Sequence, residues 1–352
     1  MTDDLGSLTP LWPKPNLLVW SGGLQFNWWW GGPIDFVGVP LPVSATQMAT
    51  TANVGIAAPI APIGRFWGSS GGRLAAFDVS DASAPILKNV IEIATNSWNF
   101  SKPFVTEGLV YLSHQTTEQI LIPIDPPSTD ATDPSKTNTT IIPQGWGDGT
   151  NIIRFITRTF LDVVDYTDAA NPVIRKPVNI PGSLEGASHQ GGVIYTTGPH
   201  FDADGNSNGN EFFDASAYDG VAAFLIDSLA LTNWPHPIVV QSPDIFIGSP
   251  TNLTRWQLAD DGMFTMLSTT ETKAPVYTFH FFGNLAALNT GDNILLYDAT
   301  DRAALKLSGQ APVSCNTNND LDNSDGSVQR GLYIPLSDYG VQYIAVTPPP
   351  AQ

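Results

Sequence analysis

Residues Arg73–Ile93, RLAAFDVSDASAPILKNVIEI, decide the fold. An apolar run, Leu74-Ala75-Ala76-Phe77, ends in Asp78, after which Ser80, Asp81 and Ser83 supply turn chemistry and Pro85 opens a second apolar run from Ile86 to Ile93. Asp and Ser side chains bond the backbone two residues on and favour turns, while Pro lacks an N–H and suits the first residue of a strand. The stretch therefore reads as two β-strands joined by a tight turn.

Working outward, the pattern returns as FLDVVDYTDAANPVIRKPVNI, Phe160–Ile180, with Asp165, Asp168 and Pro172 in register on Asp78, Asp81 and Pro85. A third copy, Ile294–Leu307, keeps Asp298 and Asp301, with Leu305 at the proline position. A fourth, VAAFLIDSLALTNWPHPIVV, keeps Asp227 and reaches Pro237 after a longer turn, and a weaker fifth is Ile120–Asp125. Recurrence every roughly 40–70 residues of a unit of this size is the sign of a β-propeller or another repeat array. Six or seven blades are expected. Seven is preferred, because the length divided by seven lies near the roughly 40–50 residues of a common blade. A ring of blades needs its ends joined, so strands near Leu17–Trp20 and Tyr343–Val346 are expected to share one sheet.

Composition agrees. Charged residues make up 14% of the 352, against about a quarter in ordinary domains, and 31 Gly with 29 Pro point to short strands and many turns. The class is all-β, and one domain over 1–352 is expected, with a surface insertion at 201–220. A net charge of −18 repels a phosphate backbone, so nucleic acid is not an expected partner. The longest apolar candidate, Val54–Gly64, is cut by prolines and falls short of the roughly 20 residues of a membrane helix. The single cysteine, Cys315, excludes an internal disulfide. Trp28–Trp30 cannot all face one way on a strand, and packing between blades is the favoured role for them. The first residues, Met-Thr-Asp-Asp, carry no basic and apolar leader; a cytosolic chain and a chain whose leader lies outside this numbering both fit.

The hairpin Phe77–Pro85, its counterpart Val164–Pro172, and longer phrases such as NFSKPFVTEGLVYLSHQ, AYDGVAAFLIDSLAL and RGLYIPLSDYGV resemble the LVIVD-type repeat proteins of bacteria. The resemblance implies a β-propeller, in a chain that could be part of a longer exported protein, at an extracellular, periplasmic or cell-surface location. It supplies no catalytic pattern.

Two constellations could carry chemistry. Asp202, Asp204, Asn206, Asn208 and Asn210 alternate through the 201–220 segment, followed by Asp214. Such oxygen donors suit a hard cation, and Asp204-x-Asn206-x-Asn208-Gly209 copies the first half of a calcium loop, but position 12 is Ala215 where a bidentate Glu would be needed. A Ca2+-organised loop and a solvated Asp/Asn/Gly loop are the two readings. The tripeptide Ser-His-Gln occurs at 113–115 and at 188–190. His114, His189 and His200 could line one axial ligand pocket, or could be structural groups between blades. Asp78, Asp165, Asp227 and Asp298 are expected as turn-forming carboxylates in different blades, too far apart for joint acid–base work. No phosphate loop, Cys-x-x-Cys pair or strand-borne GxGxxG is present. The expectation is a monomeric, non-catalytic binding or scaffold module with a protein or glycan partner. The alternative is a metal-assisted hydrolase using an axial site of His, Asp and Asn.

Overall fold

The computed structural model describes residues 9–27, 36–37, 67–81, 84–94, 100–101, 103–106, 108–123, 151–201, 207–231, 236–313, 321, 324–335 and 340–346. Six small antiparallel sheets, each built from one contiguous stretch of chain, form a six-bladed β-propeller, with no α-helix among the described residues.

Blade 1 takes β1 (Thr9–Lys14), β2 (Leu17–Asn27), β3 (Phe36–Val37), β4 (Trp67–Asp78) and β5 (Ile86–Ile93). Blade 2 takes β6 (Phe104–Thr106), β7 (Leu109–Pro123), β8 (Asn151–Asp165), β9 (Val173–Ile174) and β10 (Val178–Ile180). Blade 3 is β11 (Ser183–Ala187), β12 (Val193–Phe201), β13 (Ser207–Tyr218) and β14 (Ala223–Leu231). Blade 4 is β15 (Ile238–Gln241), β16 (Asp244–Gly248), β17 (Asn252–Leu258) and β18 (Phe264–Glu271). Blade 5 is β19 (Thr278–Phe282), β20 (Leu285–Asn289), β21 (Asn293–Asp298) and β22 (Lys306–Pro312). Blade 6 shows β23 (Asp325–Ser327), β24 (Gly331–Pro335) and β25 (Val341–Ile344).

The core lies between blades. Leu17, Val19, Leu74 and Ala76 of blade 1 meet Val110, Leu112 and Val164 of blade 2. Tyr111, Leu161 and Val163 of blade 2 meet Leu184, Ile194 and Tyr218 of blade 3. Similar clusters join blades 3 and 4 through Phe213 and Ile245, blades 4 and 5 through Phe246 and Phe279, and blades 5 and 6 through Leu285 and Ile334. Each fully buried Leu or Phe contributes about 2 kcal/mol of transfer free energy. The second strand of a blade is covered on both faces, so β16 (DIFIG) and β20 (LAALN) are buried throughout and show no polar alternation. Gly186 on β11 permits a close approach near the axis, because a Cβ there would lie 2.5 Å from Val240 Cβ of β15.

The opening stretch folds as expected. β4 and β5 pair from Gly72↔Ile93 to Asp78↔Ile86, and β8 carries the equivalent hairpin into β9. β6 pairs with β7 from Phe104↔Tyr111 to Thr106↔Leu109, with Gly108 at φ 87° between them; Glu107 lies outside the described residues.

Four expectations are corrected. First, of the six or seven blades expected there are six and not the preferred seven, because blade 1 runs from 9 to 93 and blade 2 from 104 to 180, whereas blade 5 needs only 278–312. Length divided by a standard blade overcounts when blades differ this much. Second, β2 pairs with β1, β3 and β4, and β25 pairs with β24, so the strands at Leu17–Trp20 and at Val341–Ile344 lie in different sheets. The N-terminal segment supplies its own innermost strand by turning back at Asn16 (φ 62°), with Leu11 opposite Val19. Third, the copy around Asp227 is a connection between blades. Val221–Leu231 runs into the outer strand of blade 3, and Ile238–Gln241 is the inner strand of blade 4. Likewise Ile120–Pro123 continues β7, paired to Asn151–Arg154, and opens no new unit. Fourth, most of 201–220 is ladder: β13 pairs β12 from Val193↔Ala217 to Phe201↔Ser207. Residues 28–35, with the three tryptophans, lie outside the described residues, as do 202–206 and Cys315.

Candidate ligand cleft at the axis

The first and second strands of each blade are joined at the end of the propeller that also carries the Asp-rich hairpins between third and fourth strands. There the inner strands converge on a cleft of about 330 Å3 lined by Val105, Thr106, Ala187, His189, Gln241, Ser242, Gly283 and Arg302. Blades 2, 3, 4 and 5 each contribute two of these residues. The volume falls within the roughly 300–1,000 Å3 typical of small-molecule sites.

One wall is charged. Asp244, the buried first residue of β16, has Oδ1 occupied by Arg255 Nε at 2.8 Å, Arg255 Nη2 at 2.8 Å and Gln257 Nε2 at 2.9 Å. Its Oδ2 receives Arg302 Nη1 at 3.4 Å, across the boundary between blades 4 and 5. Arg302 sits on the hairpin after β21, with its guanidinium carbon 5.5 Å from the centroid of Phe281. Two guanidinium groups thus share one carboxyl group, and the looser of them faces the cleft. Gln241 adds an amide whose oxygen is buried and without a hydrogen-bond partner among the described residues. Such an atom costs about 1–3 kcal/mol until something donates to it.

The hairpins bordering this end share one local chemistry. Asp165 Oδ1 accepts from Thr167 N at 2.8 Å and Thr167 Oγ1 at 2.6 Å. Asp298 Oδ1 accepts from Thr300 N at 2.9 Å, and Asp78 Oδ1 from Ser80 N at 3.0 Å and from the Ser80 hydroxyl. The second acid of the motif does the same one turn on, Asp168 for Ala170 N and Asp301 for Ala303 N, both at 2.9 Å. These donors favour the charged carboxylate. The Ser80 hydroxyl and N–H, helped by Lys88, bring Asp78 down to about 2, and the Thr167 and Thr300 hydroxyls lower Asp165 and Asp298. Asp227 plays another part: its Oδ2 accepts from Phe264 N at 2.7 Å and ties the outer strand of blade 3 to that of blade 4.

Of the three histidines expected at the axis, the cleft takes His189 alone. The two Ser-His-Gln tripeptides occupy different places. Ser188 turns the chain after β11, accepting from Val193 N at 3.0 Å and leaving His189 exposed. Ser113 and His114 lie within β7, where Ser113 Oγ accepts from Leu184 N at 2.9 Å and so joins blade 2 to blade 3. His114 is buried between Phe100 and Phe160, its Nδ1 bonded to Asp162 Oδ2. His200, near the far end of β12, stacks on Phe212 with centroids 4.0 Å apart and sets Nε2 3.0 Å from both oxygens of Asp214.

Of the expected calcium ligands, Asp202, Asp204 and Asn206 lie outside the described residues, Asn208 and Asn210 are on β13, and Asp214 is buried between His200 and Ser228 Oγ (2.6 Å). Among the described residues no three His, Cys, Asp or Glu side chains converge in a metal-binding group. Likewise no helix among them is long and apolar enough to cross a membrane.

Sequence reasoning missed Arg302, Asp244, Arg255 and Gln241. They come from separate strands and turns of blades 4 and 5, and only Asp301, next to Arg302, belongs to a recognisable motif.

No family model and no curated protein matches the chain. Among solved structures it is similar to a crystal structure of a Lactobacillus plantarum protein, a structural-genomics target. The identity is 12%, over 67% of this chain and 69% of that one, with a TM-score of 0.36. That likeness says nothing of activity.

Proposed function

We propose that the protein is a non-catalytic binding propeller whose small ligand sits in the axial cleft. The observation that carries this reading is the convergence of polar side chains from four blades on one opening: Thr106, His189, Gln241 and Ser242, together with the Arg302 fork. None of them is needed to build a strand ladder, and the histidine is exposed. The hydrogen-bonded acid–histidine pairs His114–Asp162 and His200–Asp214 are each held on one blade and belong to blade architecture, not to this cleft.

The test is a thermal-shift survey of neutral and charged sugars and small organic acids on the wild type and on His189→Trp, which narrows the opening at an exposed position. A ligand at 100 times its Kd stabilises the fold by about 2.7 kcal/mol. Compounds that raise Tm are expected to do so in the wild type and to lose the effect in His189→Trp, whose far-ultraviolet circular dichroism stays unchanged. Stabilisers acting equally on both proteins would remove the cleft from consideration.

A further inference from the structure

The charge balance of the cleft wall points to a ligand class, an inference that rests on the cleft being the binding site. The whole chain carries −18, yet at this wall two arginines meet one carboxyl group. Arg255 holds Asp244 with two nitrogens at 2.8 Å, so Asp244 is already matched before Arg302 is counted. Arg302 touches it through one nitrogen at 3.4 Å, and its side chain is 31% exposed. A guanidinium has five N–H donors in a planar fork suited to a carboxylate, and here most of that fork is uncommitted to Asp244. Phe281 beneath the guanidinium fixes where the fork lies.

The rest of the lining narrows the ligand further. Thr106, Ser242 and Gln241 are polar members of the lining, with Thr106 Oγ1 and Gln241 Oε1 buried in its wall, only Val105 and Ala187 are apolar, and no aromatic ring lines the opening. An aromatic or lipid-like ligand would find little apolar surface to cover, Val105 and Ala187 alone. A ligand rich in hydroxyls would meet a lining whose side chains are mostly polar. We infer that the cleft takes a small hydroxylated carboxylate of the sugar-acid class, with Arg302 receiving the carboxylate and the polar lining around His189 and Ser242 the hydroxyls.

The experiment uses galacturonate, galactose, acetate and inorganic phosphate with the full chain. Titration calorimetry gives affinity, and the imidazole resonances of His189 in isotope-labelled protein report occupancy of the cleft. Galacturonate is expected to bind and to shift His189. Galactose, lacking the carboxylate, and acetate, lacking the hydroxyls, should each bind about 10–100-fold more weakly. Arg302→Met should reduce galacturonate to the level of galactose and leave galactose unchanged, while Arg302→Lys, which keeps the charge without the fork, should fall between. Asp244 keeps Arg255 in both variants, and circular dichroism checks the fold.

Galactose binding as tightly as galacturonate, with a His189 shift and no effect of Arg302→Met, would overturn the acid class and leave the cleft as the site. Phosphate binding more tightly than galacturonate would overturn the sugar-acid class in favour of a phosphorylated ligand. Binding without any His189 shift would overturn the cleft itself. Absence of binding by all four probes would overturn the class, with the broader survey above deciding the cleft.

Discussion

Blades 2 and 3 carry the same device at equivalent positions and use it differently. Asp162 faces Leu112 in the fourth pair from the end where β7 starts and β8 finishes, and Asp214 faces Thr196 in the fourth pair from the end where β12 starts and β13 finishes. Two residues before each lies a phenylalanine, Phe160 or Phe212, on which the histidine stacks. In blade 2 the histidine comes from the residue opposite that phenylalanine, and its side chain is 6% exposed. In blade 3 the corresponding residue is Gly198, and His200, two positions further on, reaches back with a side chain 33% exposed. Asp214 gains a second donor in Ser228, whereas Asp162 Oδ1 has no partner among the described residues. A carboxyl group on the third strand thus demands a donor from the neighbouring strand wherever it is buried, and the sequence position of that donor can move by two residues.

This comparison can be broken at several points. The largest effect is expected for His114→Ala, which empties the space between Phe100 and Phe160 and leaves Asp162 buried without its donor. Equilibrium denaturation should show a loss of about 3–5 kcal/mol. His200→Ala leaves Asp214 with Ser228 and water within reach, so the expected loss is about 1–2 kcal/mol. Equal losses in the two variants would show that burial does not set the difference. To sharpen it, the double change His114→Phe with Asp162→Leu replaces the blade 2 pair by apolar groups of similar size. It should recover most of the stability lost by His114→Ala, as buried pairs exchanged for packed apolar groups commonly do; a double variant no more stable than His114→Ala would give the pair a specific structural role.

The exposed hairpin acids give the smallest effect and a contrast in the opposite sense, since they are stabilised in the charged form by turn donors and not by burial. Their folded-state values are lowered, Asp78 to about 2 and Asp165 and Asp298 in the same direction, below the ordinary carboxylate value of 3.8. The stabilisation is therefore fully present above about pH 4 and lost as pH falls through the folded value. Asp78→Asn, which keeps Asp165 and Asp298, should lose less Tm than the wild type between pH 4 and 2; parallel curves for the two proteins would show that this turn does not contribute.

The repeated Asp-x-(Ser/Thr)-Asp motif was legible because it is local. Both acids bond atoms two residues away, so Asp78, Asp165 and Asp298 betray a hairpin wherever they occur, and three hairpins of one kind imply blades. All-β class followed from turn residues and from runs such as Leu74-Ala75-Ala76-Phe77, which read as strands. Asp227 misled because an apolar run ending in Asp looks the same whether the chain then turns back within a blade or crosses to the next. That distinction depends on which strand accepts the next ladder. Blade number and the separate sheets of the two termini were hidden for a related reason: the sequence does not state how much chain each blade consumes, and β1 carries no mark distinguishing an innermost strand from any other.

The candidate cleft divides in the same way. His189 could be named from the sequence as an axial histidine, since it lies in a turn next to an inner strand. Its company could not. Arg302 and Asp244 are separated by most of two blades in sequence and meet only because the hairpin of blade 5 lies over the first turn of blade 4. Local hydrogen bonds within two or three residues are written in the order of the chain, and these fixed the hairpins of this protein. Which charges end up facing one another, and which guanidinium retains donors for a ligand, depends on the rotation between neighbouring blades and was decided by the packing of their faces.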